Sequence, residues 1–463
     1  MVDEKEGRRV AIVHPDLGLG GAERLVVDAA LGLQERGHKV VIYTAYRDVQ
    51  RCFPEVRPRH LGGSVSCTLV NTYVPRSVLG RFHALCTVIQ CVILALYVCV
   101  NASRVDVAFC DIVSAPALIF RMFGIPCIFY CHFPDQMLAD SIRVSHAKLA
   151  EVDSSLVAVS KRFGRLVYRA FVDRLERFAI SRATCVAVNS QFTARMFSEV
   201  YPDLLRGHER KEPIVVYPAV NIRPSVGHDA SLTSRLWATF AEEMFPLVKD
   251  PILLVSLNRF EKKKNVALAV RALHAIRSSD SLVPNKQLRD SIVLLIAGGY
   301  DDRLEENKQT LHNVRQLISE LRLEAFVGVE LNFDESKRIS ILRAARALLY
   351  TPSSEHFGIV PLEAMAAGVP VIAVDSGGPR ETVQDQATGF LCPAEPAAFA
   401  QAAARLVVDQ KLAEELGKRG RERAQSLFSV DALGTALEGL VHECCDAKLA
   451  RTATKPSSRK KQS

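Results

Sequence analysis

Residues 10–44 read VAIV HPDLGLGG AERLVVDAALGLQERG HKVVIYT. A short apolar run ends in a glycine-rich loop, a helical pattern follows, and a second apolar run closes the unit. In the middle segment Leu25, Val26, Ala29 and Leu33 share one helical face, and Gly37 stands where a helix would stop. Strand, glycine loop, helix, strand is the opening of a parallel sheet with helices on both faces.

The same rhythm continues outward. VDVAFC (105–110), IPCIFY (125–130) and TCVAVN (184–189) read as further strands, with one long amphipathic helix over 161–182 between the last two. Residues 221–250 are polar and irregular and hold the single tryptophan, Trp237, so a linker is expected there. The pattern restarts with PILLVS (251–256), a helix from about Asn265, SIVLLIAGG (291–299), ARALLYTPS (345–353) and VPVIAVDSGG (369–378). The expectation is an α/β protein of two similar doubly wound, Rossmann-like domains, residues 1–220 and 251–425. Helices over about 397–445 follow, the last (426–446) able to return to the first domain. The tail 447–463 carries six basic residues and no acid and reads as disordered.

Composition narrows the function classes. A chain of 463 residues exceeds one core, and its net charge of +8 is spread along the chain. That charge suits anionic ligands, whereas no zinc-finger spacing or aromatic-basic stripe supports nucleic acid as a partner. The twelve cysteines lie singly or in apolar runs with no Cys-x-x-Cys pair, which reads as free thiols in a reducing compartment. Cys127 and Cys131 flank a strand and carry the alternative of redox activity. The first residues hold acids and no long apolar stretch, so a cleaved secretory signal is not expected. Phe82 to Ser103, in contrast, is a 22-residue stretch free of Asp, Glu, Lys and Arg. It is long enough to cross a bilayer, or to be a buried helix of a large domain.

Four segments carry candidate chemistry. Gly18-Leu19-Gly20-Gly21 joins a strand to a helix, where backbone amides and the helix dipole favour phosphate. It is an incomplete dinucleotide fingerprint and equally a plain tight turn; a nicotinamide-dependent oxidoreductase is the reading it suggests from another class. Asn258-Arg259-Phe260-Glu261-Lys262-Lys263-Lys264-Asn265 follows a strand directly, at the carboxyl edge where open α/β sheets bind ligands. There Arg259 offers a planar fork and Lys264 a point charge, a pair suited to a diphosphate, though a solvated basic turn has the same composition. In Ser354-Glu355-His356-Phe357-Gly358-Ile359-Val360-Pro361-Leu362-Glu363 a strand ends, a glycine admits a ligand, and a helix is expected to begin near Pro361. The amides of Phe357, Gly358, Ile359 and Val360 would face a phosphate or sugar, with Glu355 and Glu363 on the same side. Asp375-Ser376-Gly377-Gly378-Pro379 is a further glycine turn, either ligand-facing or a connector.

Glu355, seven intervening residues and Glu363, with the Arg259–Lys264 pair upstream, resemble family 4 of the retaining glycosyltransferases. HPDLGLGGAERLVVDAAL, YCHFPD, VNSQFT, LNRFEKKKN, AGGYDDR, TPSSEHFGIVPLEAM and VIAVDSGGP narrow the resemblance to its eukaryotic members that extend dolichol-linked sugars. The resemblance implies the GT-B fold, two Rossmann-like domains facing a cleft. It implies GDP-mannose as donor and a dolichyl-diphosphate Man1GlcNAc2 acceptor, with α-1,3 and then α-1,6 linkages formed with retention. Another lipid-linked transferase of the family, acting on phosphoinositide, is the nearest alternative, and a silent scaffold of the same fold a more distant one.

The roles it implies are specific. Glu363 would bond the GDP ribose, Arg259 and Lys264 the leaving diphosphate, and Glu355 would lie near the mannose. Phe357 to Val360 would hold sugar and phosphate by their amides, His132 would contact the mannose, and Gly20 and Gly21 would approach the β-phosphate. No metal and no other cofactor is implied. A complex with other early transferases of the route, at the cytosolic face of the endoplasmic reticulum, is also implied. Lys460-Lys461-Gln462-Ser463 resembles a dilysine retrieval signal and fits that location. A simple bilayer crossing by 82–103 would part the glycine loop from Arg259 and Glu355, so a helix that dips into the membrane is expected instead.

Overall fold

The computed structural model describes residues 7–78, 82–134, 172–206, 211–220, 237 and 239–453. These divide into two units, the first reaching to Ala219 and taking in the C-terminal helix Val430–Ala453, the second spanning Val220–Ser429.

In the first unit β1 (Arg9–Val13), β2 (Asp16–Leu17), β3 (Lys39–Thr44), β4 (Tyr46–Arg47) and β5 (Ser66–Leu69) lead to β6 (Val107–Asp111), β7 (Cys127–Cys131), β8 (Cys185–Val188) and β9 (Pro213–Val215). Seven of these form one sheet in the order β5-β3-β1-β6-β7-β8-β9, and β2 pairs with β4 alone. Every pairing is parallel. A parallel strand must be covered on both faces, which is why the inner strands are near-continuous Val, Ile, Ala and Phe. Helix Gly21–Glu35 covers one face with Leu25, Val26, Ala29, Ala30 and Leu33.

The C-terminal helix lies across Gly21–Glu35 where two glycines meet. A Cβ on Gly32 would stand 2.8 Å from the Gly434 Cα, and one on Gly434 2.7 Å from the Gly32 carbonyl oxygen. Leu433, Leu437, Leu440 and Val441 complete this core. Arg36 fastens the crossing, donating to the Asp431 carbonyl at 2.7 Å and its carboxylate at 2.8 Å.

On the other face lies helix His83–Asn101, the observed form of the uncharged stretch 82–103. It buries Cys86, Gln90, Cys91, Leu94, Ala95 and Val98, and Gln90 Nε2 donates to the carbonyls of Val74 and Pro75. Its outer face keeps Leu85, Ile89, Leu96 and Val100 exposed. The helix is long and apolar enough to cross a membrane by composition, but one side is committed to the sheet core.

The second unit carries β10 (Ile252–Leu257), β11 (Ile292–Gly298), β12 (Val327–Leu331), β13 (Ala347–Tyr350), β14 (Val371–Val374) and β15 (Gly389–Cys392). They pair in parallel in the order β12-β11-β10-β13-β14-β15. Helices Ala267–Arg277 and Pro396–Val408 lie in its core. Residues 239–244, in the stretch expected to be irregular, are helical, and Ala241 and Phe245 are buried in this unit. The long helix expected over 161–182 is described only as 172–182; its first part lies outside the described residues, as do the tail residues 454–463.

All twelve cysteines are free thiols, and all but Cys67 and Cys99 are buried. Cys127 and Cys131 belong to β7 itself rather than flanking it, and burial pushes the Cys127 thiol well above its ordinary range. A thiol held protonated is a poor nucleophile, so the redox reading of Cys127 falls.

Candidate active site

In the second unit, three neighbouring strands end in the candidate residues. β10 leads to Asn258 and Arg259, β13 to Thr351 and the Glu355 turn, and β14 to Asp375. Sheet order reverses at β10, between β11 and β13, so this is the switch point where open α/β sheets bind ligands.

After Arg259 a 3-10 turn, Lys262–Lys264, ends on Asn265 with φ 46°, and helix Ala267–Arg277 follows. The turn buries Lys264, whose Nζ donates to Glu355 Oε2 at 2.5 Å. Thr351 Oγ1 donates to the Lys264 carbonyl at 2.7 Å, which ties this turn to the end of β13. Burial opposes ionisation of Glu355, but Lys264 outweighs it and holds the carboxyl below its usual range. Arg259 is not part of this pair: its side chain is 65% exposed and bonds Glu261 at 2.9 Å.

The next helix is Ile359–Ala367, beginning two residues before the expected Pro361. Gly358, at φ 86°, makes the corner. Pro361 is tolerated in the first turn because the amides there have no intrahelical acceptor. Ile359 and Val360 supply first-turn amides, whereas the Phe357 side chain is buried, its ring 5.9 Å from that of Phe428.

Glu363, one turn inside this helix, accepts from Arg338 Nη1 at 3.0 Å through Oε1. Its Oε2 is buried without a hydrogen-bond partner. Burial, only partly offset by Arg338, raises this carboxyl from 4.5 to about 7. A carboxylate held by one oxygen and unsatisfied at the other is arranged to accept a ligand hydroxyl. Tyr350, buried at the end of β13, completes the group, its phenol pushed well up by burial and then by Glu355 and Glu363.

The turn after β14 explains its glycines by packing. A Cβ on Gly378 would stand 2.2 Å from the Phe357 carbonyl oxygen, and one on Gly377, at φ 63°, 2.4 Å from that of Glu355. Gly378 N donates to the Glu355 carbonyl at 2.7 Å. This turn buttresses the Glu355 turn, which accounts for its glycines without a ligand.

The first unit has a corresponding edge. β1, β6 and β7 are neighbours, and sheet order reverses between β1 and β6. Their carboxyl ends deliver His14, Asp111 and His132. Asp111 Oδ1 lies 2.7 Å from His14 Nδ1, and Oδ2 lies 3.2 Å from His132 Nε2. Burial opposes the Asp111 charge, yet the two histidines bring its carboxyl down to about 2. Asn189 donates to the His132 carbonyl at 2.9 Å, and the Tyr130 ring packs against His132 edge-on at 5.1 Å. In the glycine loop, Gly20 is the N-cap of helix Gly21–Glu35, and a Cβ there would stand 2.1 Å from the Glu23 carboxylate. At Gly21 a Cβ would meet nothing within 4 Å.

Among the described residues, His38, Glu438 and His442 have metal-compatible spacing. His38 precedes β3, so it lies at the amino edge, away from His14 and His132. Arg8 N–H donates to His38 Nδ1 at 3.1 Å, so a neutral His38 carries its proton on Nε2. That proton faces Glu438 at 3.7 Å, where a metal would need a lone pair.

Sequence reasoning named Lys264, Glu355, Glu363 and His132, and it missed Arg338, Tyr350, Thr351, His14 and Asp111. For His14 and Asp111 a signal existed, since each is a polar residue directly at the end of an apolar run. Arg338 had none, because it comes from a separate helix, Glu335–Ala344.

Comparisons with known proteins bear on this arrangement. The family "Glycosyltransferase Family 4" matches residues 19–243, and "Glycosyl transferases group 1" matches 240–423. The α-1,3/1,6-mannosyltransferase ALG2 of Rhizomucor pusillus is 36% identical over 457 residues, covering 94% of this chain and 91% of its own. That of Homo sapiens is 38% identical over 428 residues, covering 91% and 93%. The chain belongs to the α-1,3/1,6-mannosyltransferase family. It is a glycosyltransferase, and the oxidoreductase and phosphoinositide alternatives fall.

Solved structures agree on the GT-B fold of this mannosyltransferase-family chain. Sucrose-phosphate synthase from Thermosynechococcus elongatus matches with TM-score 0.65 at 19% identity, covering 95% of this chain and all of its own. The catalytic domain of starch synthase IV from Arabidopsis thaliana matches with TM-score 0.68 at 15% identity, with the same coverage.

Proposed function

We propose that this glycosyltransferase moves mannose from GDP-mannose to dolichyl-diphosphate-linked Man1GlcNAc2, forming first the α-1,3 and then the α-1,6 linkage. The observation that carries the donor half is the second unit's edge, where the Lys264–Glu355 pair lies near a glutamate with one unsatisfied oxygen. Glu363 Oε2 accepts a ribose hydroxyl. Lys264, with Arg259 swung from Glu261, neutralises the diphosphate as it leaves. The first-turn amides of Ile359 and Val360 meet a phosphate, and those of Phe357 and Gly358 a sugar hydroxyl.

The bond from mannose C1 to the diphosphate oxygen breaks as the acceptor oxygen bonds C1 on the same face. The acceptor proton passes to the leaving phosphate, and GDP departs. The protein's contribution is fixed charge and alignment, with Glu355 beside the cationic sugar carbon and His132 on a sugar hydroxyl. Gly21 and the start of its helix approach the β-phosphate, with Gly20 joining once Glu23 moves aside. No metal is required where lysine, arginine and helix amides carry the counter-charge.

The exposed row Leu85, Ile89, Leu96 and Val100 lies against the cytosolic face of the endoplasmic reticulum membrane, where the acceptor's lipid remains. Other early transferases of the route assemble on the same surface. The deciding experiment incubates GDP-mannose with a synthetic lipid-diphosphate chitobiose bearing one mannose, read by mass. Two added hexoses, lost in Glu355→Ala, support donor, acceptor and site together; bound GDP without added hexose removes the acceptor assignment.

A further inference from the structure

Three adjacent strand ends hold His14, Asp111 and His132 in one hydrogen-bonded row, and the sequence marked only the last. Asp111 is 1% exposed and ionised, so it accepts at both oxygens and has no proton to give. Both facing ring nitrogens are therefore N–H donors: Nδ1 of His14 and Nε2 of His132. That assignment fixes the His132 tautomer. In the neutral ring Nδ1 is then the lone-pair nitrogen, left for a ligand hydroxyl, while the side chain keeps 28% exposure.

We propose that Asp111 is a positioning residue for mannose transfer, which holds the His132 ring and its tautomer so that Nδ1 accepts a hydroxyl of the transferred sugar. His14 serves Asp111 rather than the sugar. It is fully buried, and its Nδ1–H satisfies the carboxylate oxygen that His132 does not reach. The backbone carbonyl of His132, held by Asn189, and the edge of Tyr130 fix the rest of the ring's placement. Without the aspartate the ring would keep its place but lose its proton assignment, and a lone pair aimed at a hydroxyl would become an N–H.

This inference rests on the role proposed for His132, and its test separates the two. Asp111→Asn keeps the shape but presents an amide N–H to one ring, which must then accept. The expected result is a fall in kcat of roughly 10²-fold or more, as for other catalytic histidines given the wrong tautomer. The KM for GDP-mannose is expected to stay within about threefold. His14→Asn places an amide N–H where Nδ1–H stood and is expected to retain most of kcat. A wild-type kcat in an Asp111→Asn protein whose 15N spectrum shows the His132 proton moved to Nδ1, or an equal loss in His14→Asn, would overturn the positioning role. A reading independent of any variant is the 15N spectrum of the histidine-labelled full chain. His132 protonated on Nε2 agrees with the proposal, and a neutral ring protonated on Nδ1 removes it. His132→Ala with full transfer would instead sink the parent reading while leaving the tautomer measurement intact.

Discussion

The two strand-edge centres handle a buried carboxylate in opposite ways. In the first unit Asp111 is satisfied at both oxygens and titrates at about 2, so it is closed to further partners. In the second unit Glu363 is satisfied at one oxygen and titrates at about 7, so it remains open. Both arise at a switch point of a parallel sheet. The difference lies in the number of donors that neighbouring strands and helices supply, and it separates a carboxylate that organises protein from one left for a ligand.

The strongest way to break this contrast is through Lys264 and Glu355. Either Lys264→Ala or Glu355→Ala is expected to lower mannose transfer by roughly 10²–10³-fold while the circular dichroism spectrum stays unchanged. Wild-type turnover in a folded variant would remove the open centre from catalysis. Next in size is Gly378→Ala, whose methyl would meet the Phe357 carbonyl at 2.2 Å. Moving the Glu355 turn by even an ångström is expected to cost about 10²-fold in kcat. Unaltered kinetics would show that the buttress is dispensable.

The open carboxylate also predicts a proton balance. Ribose hydroxyls that donate to Glu363 favour its ionised form, so GDP binding should release a proton near pH 6–7, and affinity should weaken as pH falls. Calorimetry in buffers of different ionisation enthalpy reads that proton directly. Glu363→Gln is expected to abolish it and weaken GDP by about tenfold, close to 1.4 kcal/mol. For the unliganded fold the sign is reversed. A carboxyl raised from 4.5 to about 7 stabilises below 4.5, and that contribution is lost as pH rises through about 7. The loss amounts to about 3 kcal/mol at most. A pH-independent difference in stability between wild type and Glu363→Gln would contradict it.

The smallest effect on catalysis belongs to the helix crossing. Gly434→Ala forces apart helices that touch at Gly32, for a stability loss of about 1–3 kcal/mol in urea titration, with kcat unchanged. A catalytic loss in that variant would link the C-terminal helix to the closed centre.

Inner strands were legible and edge strands were not. The apolar runs foretold β1, β3, β6, β7, β8, β10, β11, β13 and β14, because strands covered on both faces are apolar throughout. Six strands gave no signal: β5, β9, β12 and β15 are the four edges of the two large sheets, and β2 and β4 are two-residue strands that pair only with each other. Ser66–Leu69 and Pro213–Val215 are short and half-buried, and their sequences read as loops. The helix start at Ile359 was misplaced for a related reason. Gly358 turns the corner through φ 86°, a conformation that glycine permits but its letter alone does not assert.

By itself the sequence determined the alternation of strands and helices, the glycine turns, and the Arg259–Lys264 and Glu355–Glu363 spacings on which the family resemblance stands. These are local properties, set by periodicity and by residues close along the chain. Only the tertiary structure decided which groups share protons. Lys264 and Glu355 are 91 positions apart, and His14 and Asp111 are 97 apart. Sheet order brings such residues together, and sheet order depends on which strands bury one another rather than on any single segment. That is why His14 and Asp111, each marked only as a polar residue at a strand end, could not be joined to His132, nor Arg338 to Glu363, before the fold was known.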